Sequence, residues 1–226
     1  YLDVTGRNDW SSTLPSNNWS YFYPSVSVST IISEMVSLPT QISYLKLRGS
    51  WAQVGNDTSP YSLTNPYVLG LTIGDVLSAE TSSTFPLSNL KPEETRSWEA
   101  GLEMRMFQGR FGIDFTYYKS NTTNQILSVG MPGSSGYTSK RINAGQIQSS
   151  GAELMITGTP IQTKDWNWDL NLNWGTNRSE CISLDDAIKR FTLGTTRIGS
   201  VVVDEGGKFG DIVSIGYKRD DQGRIY

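Results

Sequence analysis

Long segments of strict two-residue alternation constrain this chain more than any other feature. In residues 98–106, Trp98, Ala100, Leu102, Met104 and Met106 fall on one side of an extended strand, and Glu99, Gly101, Glu103 and Arg105 on the other. Residues 166–175 repeat the pattern: Trp166, Trp168, Leu170, Leu172 and Trp174 stand against Asn167, Asp169, Asn171, Asn173 and Gly175. Successive strand side chains point to opposite faces, so each segment gives a sheet with one apolar and one wet surface. Strands of about ten residues with aromatic ends, separated by turn residues, are the signature of an antiparallel transmembrane β-barrel. The expected fold class is therefore all-β, and the expected role that of a pore or transporter wall rather than an enzyme.

Composition supports this and removes several alternatives. The chain has 226 residues, a net charge of −3 and acidic and basic residues mixed throughout. No basic stripe is available for nucleic acid. No run approaches the roughly 18 apolar residues of a membrane helix, but hydropathy overlooks barrels because their strands are only half apolar. There is no histidine, which removes Ser-His-Asp and Cys-His catalysis and the commonest zinc ligand. The single cysteine, Cys181, has no internal disulfide partner and reads as a small buried or loop residue, since no His is present to activate it. No cofactor is expected, and no metal: the acidic turns at 204–207 and 220–223 lack the spacing of a calcium loop. The chain opens in mid-alternation and stops after the turn signal Asp221-Gln222-Gly223, so it reads as an internal piece of a larger protein, residues 1–226 forming a partial barrel.

Seven strands are expected, at about 1–9, 21–32, 43–54, 95–107, 111–126, 141–158 and 166–180. Residues 31–42 break the alternation and read as a short helical turn or extended connection. Residues 55–94 carry repeated turn pairs (Asn56-Asp57, Ser59-Pro60, Asn65-Pro66, Gly74-Asp75, Phe85-Pro86) and read as a long irregular loop, which in a compact domain is usually functional. The connections at 108–110 and 159–165 are tight, while those at 55–94, 127–140 and 181–226 are long. The 31–42 link belongs with the short set and the 11–19 loop with the long one. Short and long ends thus alternate, as in barrels with short periplasmic turns and long extracellular loops. Val201-Val202-Val203 reads as a short strand within the last outer loop.

Particular strings add to this pattern. Val4-Thr5-Gly6-Arg7-Asn8-Asp9-Trp10, Tyr21-Phe22-Tyr23-Pro24-Ser25, Leu47-Arg48-Gly49-Ser50-Trp51-Ala52-Gln53-Val54-Gly55-Asn56-Asp57 and Leu90-Lys91-Pro92-Glu93 resemble, in order and spacing, the SusC/RagA family of TonB-dependent outer-membrane transporters. So do Phe115-Thr116-Tyr117-Tyr118-Lys119-Ser120-Asn121-Thr122, Asn143-Ala144-Gly145 and Gly151-Ala152-Glu153-Leu154. The resemblance implies a 22-stranded barrel around an N-terminal plug, of which this chain supplies about seven strands. It also implies a bacterial outer-membrane location and uptake of oligosaccharides or peptides. A SusD-like surface lipoprotein would cap the barrel, and the TonB complex would supply force through segments outside this chain.

Ligand or partner contacts are expected in the outer loops: Trp10, Asn17, Asn18 and Trp19 in one, and Asn56, Asp57, Tyr61, Asn65 and Tyr67 in the other. Aromatic rings stack on sugar faces, and Asn and Asp direct hydrogen bonds. The bland readings stand beside these: Trp10 and Trp19 as an aromatic girdle at the lipid interface, and the Asn and Asp residues as turn formers. The 55–94 loop reads equally as a docking surface for the lipoprotein. The rival from another class is a secreted carbohydrate-binding β-sandwich, in which Trp98, Leu102, Met104, Leu170 and Leu172 would be buried against a second sheet.

Overall fold

A computed structural model describes residues 1–74, 76–184 and 188–225. In chain order the strands are β1 Leu2–Trp10, β2 Ser20–Ile31, β3 Ile42–Asn56, β4 Tyr67–Ile73, β5 Val76–Thr81, β6 Thr84–Phe85, β7 Glu93–Met106, β8 Phe111–Thr123, β9 Ile126–Gly130, β10 Ser139–Asn143, β11 Gln146–Gln162, β12 Asn167–Ser183, β13 Arg190–Thr196, β14 Gly199–Asp204 and β15 Phe209–Val213. Seven of them, 9 to 17 residues long, form one antiparallel sheet in the order β1-β2-β3-β7-β8-β11-β12. These are the seven strands read from the alternation, with ends shifted by a few residues. The links at one end are α1 (Ile32–Met35) with residues 36–41, the turn 107–110 and residues 163–166; the links at the other end are long.

Three expectations need correcting. Residues 55–94 are not irregular: β4 and β5 form an antiparallel hairpin, and β6 pairs in parallel with β10. Residues 126–143 hold the β9/β10 hairpin, so the stretch expected as one strand over 141–158 is two, separated at Gly145, whose φ is +89°. Residues 190–213 form a three-stranded sheet in the order β13-β14-β15, which includes the expected Val201–Val203 strand. All are short strands, and several meet a Gly or Pro at an end: Pro66 and Gly74 flank β4, Pro86 follows β6, Gly130 ends β9 and Gly199 begins β14. The same residues that signal a loop in a sequence here mark closely spaced strand ends.

The register places side chains in rows across the wall. One apolar row joins Thr30, Leu47, Leu102, Phe115, Leu154 and Trp174, and the next joins Leu45, Met104, Ile113, Ile156 and Leu172. No second sheet covers this face among the described residues: Leu172 is 61%, Trp168 51% and Trp98 42% exposed. The fully buried large side chains are Leu14, Leu90, Val202, Val203 and Cys181, and all belong to the long-loop end. A sandwich would bury its apolar face in a sheet-on-sheet core; this wall turns it outward. Long polar and charged side chains stand on the outward face toward the long-loop end, at Gln53, Arg96, Lys119 and Arg178, which marks the edge of the lipid-facing band.

Candidate functional site

The opposite face of the wall is polar and unusually flat. One row carries almost only small hydroxyl side chains: Thr5, Ser25, Ala52, Ser97, Ser120, Ser149 and Ser179. Thr5 and Ser25 share a hydrogen bond at 2.5 Å, and Ser149 and Ser179 another at 2.8 Å. Two long side chains on this face, Arg48 and Tyr118, lie along the sheet over glycines of neighbouring strands. Arg48 on β3 crosses Gly101 of β7 to reach β8, where it donates to both Asp114 oxygens at 2.6 and 3.1 Å and to Thr116 Oγ1 at 2.6 Å. A Cβ on Gly101 would stand 2.5 Å from Arg48 Nε. Tyr118 lies over Gly151 in the same way, and near the long-loop end Tyr23 donates to the Gly55 carbonyl at 3.2 Å. A glycine in a strand interior leaves room for a neighbour's side chain. These pairs hold bulk against the wall and leave the space in front of it open.

The outer loops are tied into a common body at their bases. Asn143 accepts from the Lys91 amide at 2.7 Å and donates to the Lys91 carbonyl at 2.8 Å and the Asn124 carbonyl at 2.9 Å. Glu93 accepts from the Ile126 amide at 2.9 Å. The strings Leu90-Lys91-Pro92-Glu93 and Asn143-Ala144-Gly145 are thus two halves of one clamp. Side-chain hydrogen bonds of this kind satisfy backbone groups that no sheet ladder reaches. Farther out, Arg141 donates to the Ser62 carbonyl at 3.3 Å, and Phe85 packs edge-on against Tyr137 with ring centres 5.1 Å apart.

The residues singled out from the sequence divide into two sets. Asn17 and Asn18 donate to Asn89 Oδ1 at 3.1 and 3.3 Å, and Asn18 also to the Leu90 carbonyl at 3.0 Å. Asp57 accepts from Ser11 and from Thr13, the latter at 3.1 Å. Asn56 donates to Glu93 at 3.4 Å and Asn65 to the Tyr137 hydroxyl at 2.9 Å. Trp19 donates its indole N–H to the Leu14 carbonyl. These residues stitch the 11–19, 57–92 and 124–145 loops together around Leu14 and Leu90. Trp10, Tyr61 and Tyr67 point outward, 72%, 80% and 74% exposed. Tyr61 is held in the left-handed region at φ +63°. Sequence reading passed over Arg48, Asp114, Tyr118 and Asn143. A glycine in mid-strand beside a long polar residue was the available signal for the first three.

Electrostatics in the outer sheet are local. Arg190 holds both oxygens of Asp204 at 2.6 and 2.7 Å and keeps its carboxyl below the usual range. Lys189 does the same for Glu205 at 2.5 Å. Burial pushes the Cys181 thiol up, with the Glu205 charge adding to the effect, so the sulfur is held as the neutral thiol.

Residues 1–211 match the family described as TonB dependent receptor-like, beta-barrel. The chain belongs to this family. Among curated relatives, TonB-dependent receptor P26 of Formosa agariphila is 30% identical over 188 residues, which is 81% of this chain and 19% of that protein. TonB-dependent receptor SusC of Bacteroides thetaiotaomicron is 30% identical over 190 residues, 80% of this chain and 19% of SusC. The chain therefore spans about one fifth of the length of these relatives. Two solved structures share the fold. The RagAB peptide transporter superposes with a TM-score of 0.79 at 27% identity, over 92% of this chain and 23% of that one. The RagAB peptide importer in its closed-closed state gives 0.81 at 25% identity, over 100% and 26%. The seven-stranded sheet is thus a piece of TonB-dependent receptor barrel wall, its apolar face set for the lipid of the bacterial outer membrane and its polar face for the lumen.

Proposed function

We propose that this barrel piece belongs to an outer-membrane importer of nutrients, oligosaccharides or peptides, which works with a SusD-like surface lipoprotein. Energy would reach it from the TonB complex through segments outside this chain. The observation that carries the reading is the inner wall. A polar surface on which Arg48 and Tyr118 are laid flat over glycines suits a wide conduit for bulky solutes rather than a packed core. Family membership supports the rest of this reading. The wall has no covalent step to perform: its acids are paired with bases or face solvent.

Within this reading the joined 11–19 and 57–92 loops form the surface that meets the lipoprotein, and Trp10, Tyr61 and Tyr67 are its contacts. Asn17, Asn18, Trp19, Asn56, Asp57 and Asn65 hold that surface in shape. Exposed aromatic side chains are favoured anchors of protein interfaces because they contribute large contact area with few torsions to freeze.

The test uses the full-length protein in its native membrane. Affinity capture should retain a surface lipoprotein, and the triple substitution Trp10→Ala, Tyr61→Ala, Tyr67→Ala should reduce its recovery about tenfold or more while leaving the barrel folded. Undiminished capture would reject these contacts, and loss of nutrient uptake without loss of capture would assign them to ligand instead.

A further inference from the structure

The outer loops contain a cleft that none of the residues proposed above to meet or support the lipoprotein surface lines. Its volume is about 730 Å³, within the range of small-molecule and peptide sites. It lies between the β9/β10 hairpin and the start of the outer three-stranded sheet. Two runs of consecutive residues line it, Ser128–Gly130 of β9 with Met131 just beyond, and Arg190–Thr192 of β13 with Ile188 and Lys189 just before, whereas β10 contributes the alternate residues Lys140 and Ile142. Alternate residues mean that β10 presents a face; consecutive residues mean that β9 and β13 present edges.

Both are edge strands. The sheet orders are β6-β10-β9 and β13-β14-β15, so each has a pairing partner on one side only among the described residues. An edge strand leaves half of its amide and carbonyl groups without a ladder partner, a template for another extended chain. Here two such edges border one cleft. The side chains between them are mainly apolar: Val129, Met131, Ile142, Ile188 and Phe191. They are joined by three cations, of which Arg190 and Lys189 are held by Asp204 and Glu205. Lys140, cross-strand from Val129, makes no ion pair among the described residues.

We infer that this cleft binds an extended peptide cargo of alternating apolar and acidic residues, which adds as a strand between the edges of β9 and β13 and sets a carboxylate on Lys140. The inference rests on the uptake reading and sharpens it to a substrate class. Strand addition uses main-chain hydrogen bonds for affinity and alternate side chains for selectivity. Sugar recognition draws on stacked aromatic rings and planar polar side chains. The cleft has Phe191 as its one aromatic residue and no Asn, Gln, Asp or Glu among the residues lining it, which favours peptide over glycan. Residues 128–130 of β9 and 190–192 of β13 each offer about 10 Å of strand edge at the usual strand rise.

The experiment uses the full-length protein purified in detergent and a fluorescein-labelled hexapeptide of alternating valine and glutamate, read by fluorescence anisotropy. Three comparison probes are a lysine-for-glutamate hexapeptide, the original peptide N-methylated at alternate residues, and labelled maltohexaose. The valine-glutamate peptide should bind. N-methylation should weaken it about tenfold, the loss of one or two main-chain hydrogen bonds. Lys140→Glu should weaken the acidic peptide about fivefold or more and strengthen the lysine peptide, a reversal that mere loss of folding does not produce. Equal binding of the N-methylated peptide would overturn strand addition. Binding of maltohexaose but of no peptide would overturn the inference and leave the uptake reading standing. Absence of the full-length protein from the outer membrane would sink the uptake reading itself. Peptide binding lost to an added surface lipoprotein that Lys140→Glu no longer captures would give the edges to the partner and also overturn the cargo assignment.

Discussion

Replacing Leu102 by Arg isolates the consequence of the outward face. Leu102 is the central member of the outward set Trp98, Ala100, Leu102, Met104 and Met106 on β7. From Trp98 to Met106 is eight residue steps, about 26 Å along the strand, or about 20 Å across the membrane at a tilt near 40°, so Leu102 lies about 10 Å from either boundary. Its neighbours in the row are Leu47 and Phe115, both also outward and 40% and 38% exposed. An Arg at the midplane of a barrel costs about 2–4 kcal/mol, a shift of about 30- to 1,000-fold in the folding equilibrium. The adjacent Glu103 faces the lumen, bonded to Arg105 at 2.7 Å across a partly exposed pair. Glu103→Gln should therefore change stability by about 1 kcal/mol or less. The assay is urea titration of the full-length protein in lipid vesicles, read by heat-modifiable migration on gels. Equal effects of Leu102→Arg and Glu103→Gln would refute the assignment of faces.

Three further outcomes follow from other parts of the wall. Asn143→Ala removes three hydrogen bonds that clamp Lys91 and Asn124, and should loosen the loop bases by about 1–3 kcal/mol, seen as faster protease nicking within 57–92 on an intact barrel. Gly151→Ala would drive a Cβ into the Thr176 carbonyl and to 2.5 Å from the Tyr118 hydroxyl; the main chain must shift, and vesicle unfolding should report a loss of about 1–3 kcal/mol. The Asp204 and Glu205 carboxyls sit below their ordinary range, so the stability they contribute is present above their unfolded pKa, near 4, and is lost as pH falls through the lower folded values. Hydrogen exchange of β13 and β14 should therefore rise below about pH 4 while β7 and β8 remain protected.

Much of the wall was legible because its physics is local. Alternation over ten or more residues survives any choice of partner, and a one-residue slip would invert every side chain, so Trp98–Met106 and Trp168–Trp174 fix both strand and face. The outer strands were hidden because their information is not local. β6 has two residues, and its pairing with β10 lies 55 positions away in sequence. The residues that signal turns, such as Asn65-Pro66 and Gly74, flank β4 and end its hairpin strand rather than fill a loop. The candidate residues show the same limit. Asn and Asp in the loops were read for their hydrogen-bonding capacity, but whether Asp57 meets a ligand or the Ser11 and Thr13 hydroxyls depends on a contact more than 40 residues distant. Arg48 over Gly101 and Tyr118 over Gly151 required the cross-strand register, which fixes which residue stands beside which.

The orientation of the wall is tested most directly by placing a nitroxide label at each position from Ser97 to Met106 in the full-length protein, with Cys181→Ser as background, and measuring collision with oxygen and with a water-soluble nickel chelate. Oxygen accessibility should peak at Trp98, Ala100, Leu102, Met104 and Met106, and nickel accessibility at Ser97, Glu99, Gly101, Glu103 and Arg105. A flat profile, or one with the two quenchers exchanged, would contradict a lipid-facing apolar band and a wet lumen face.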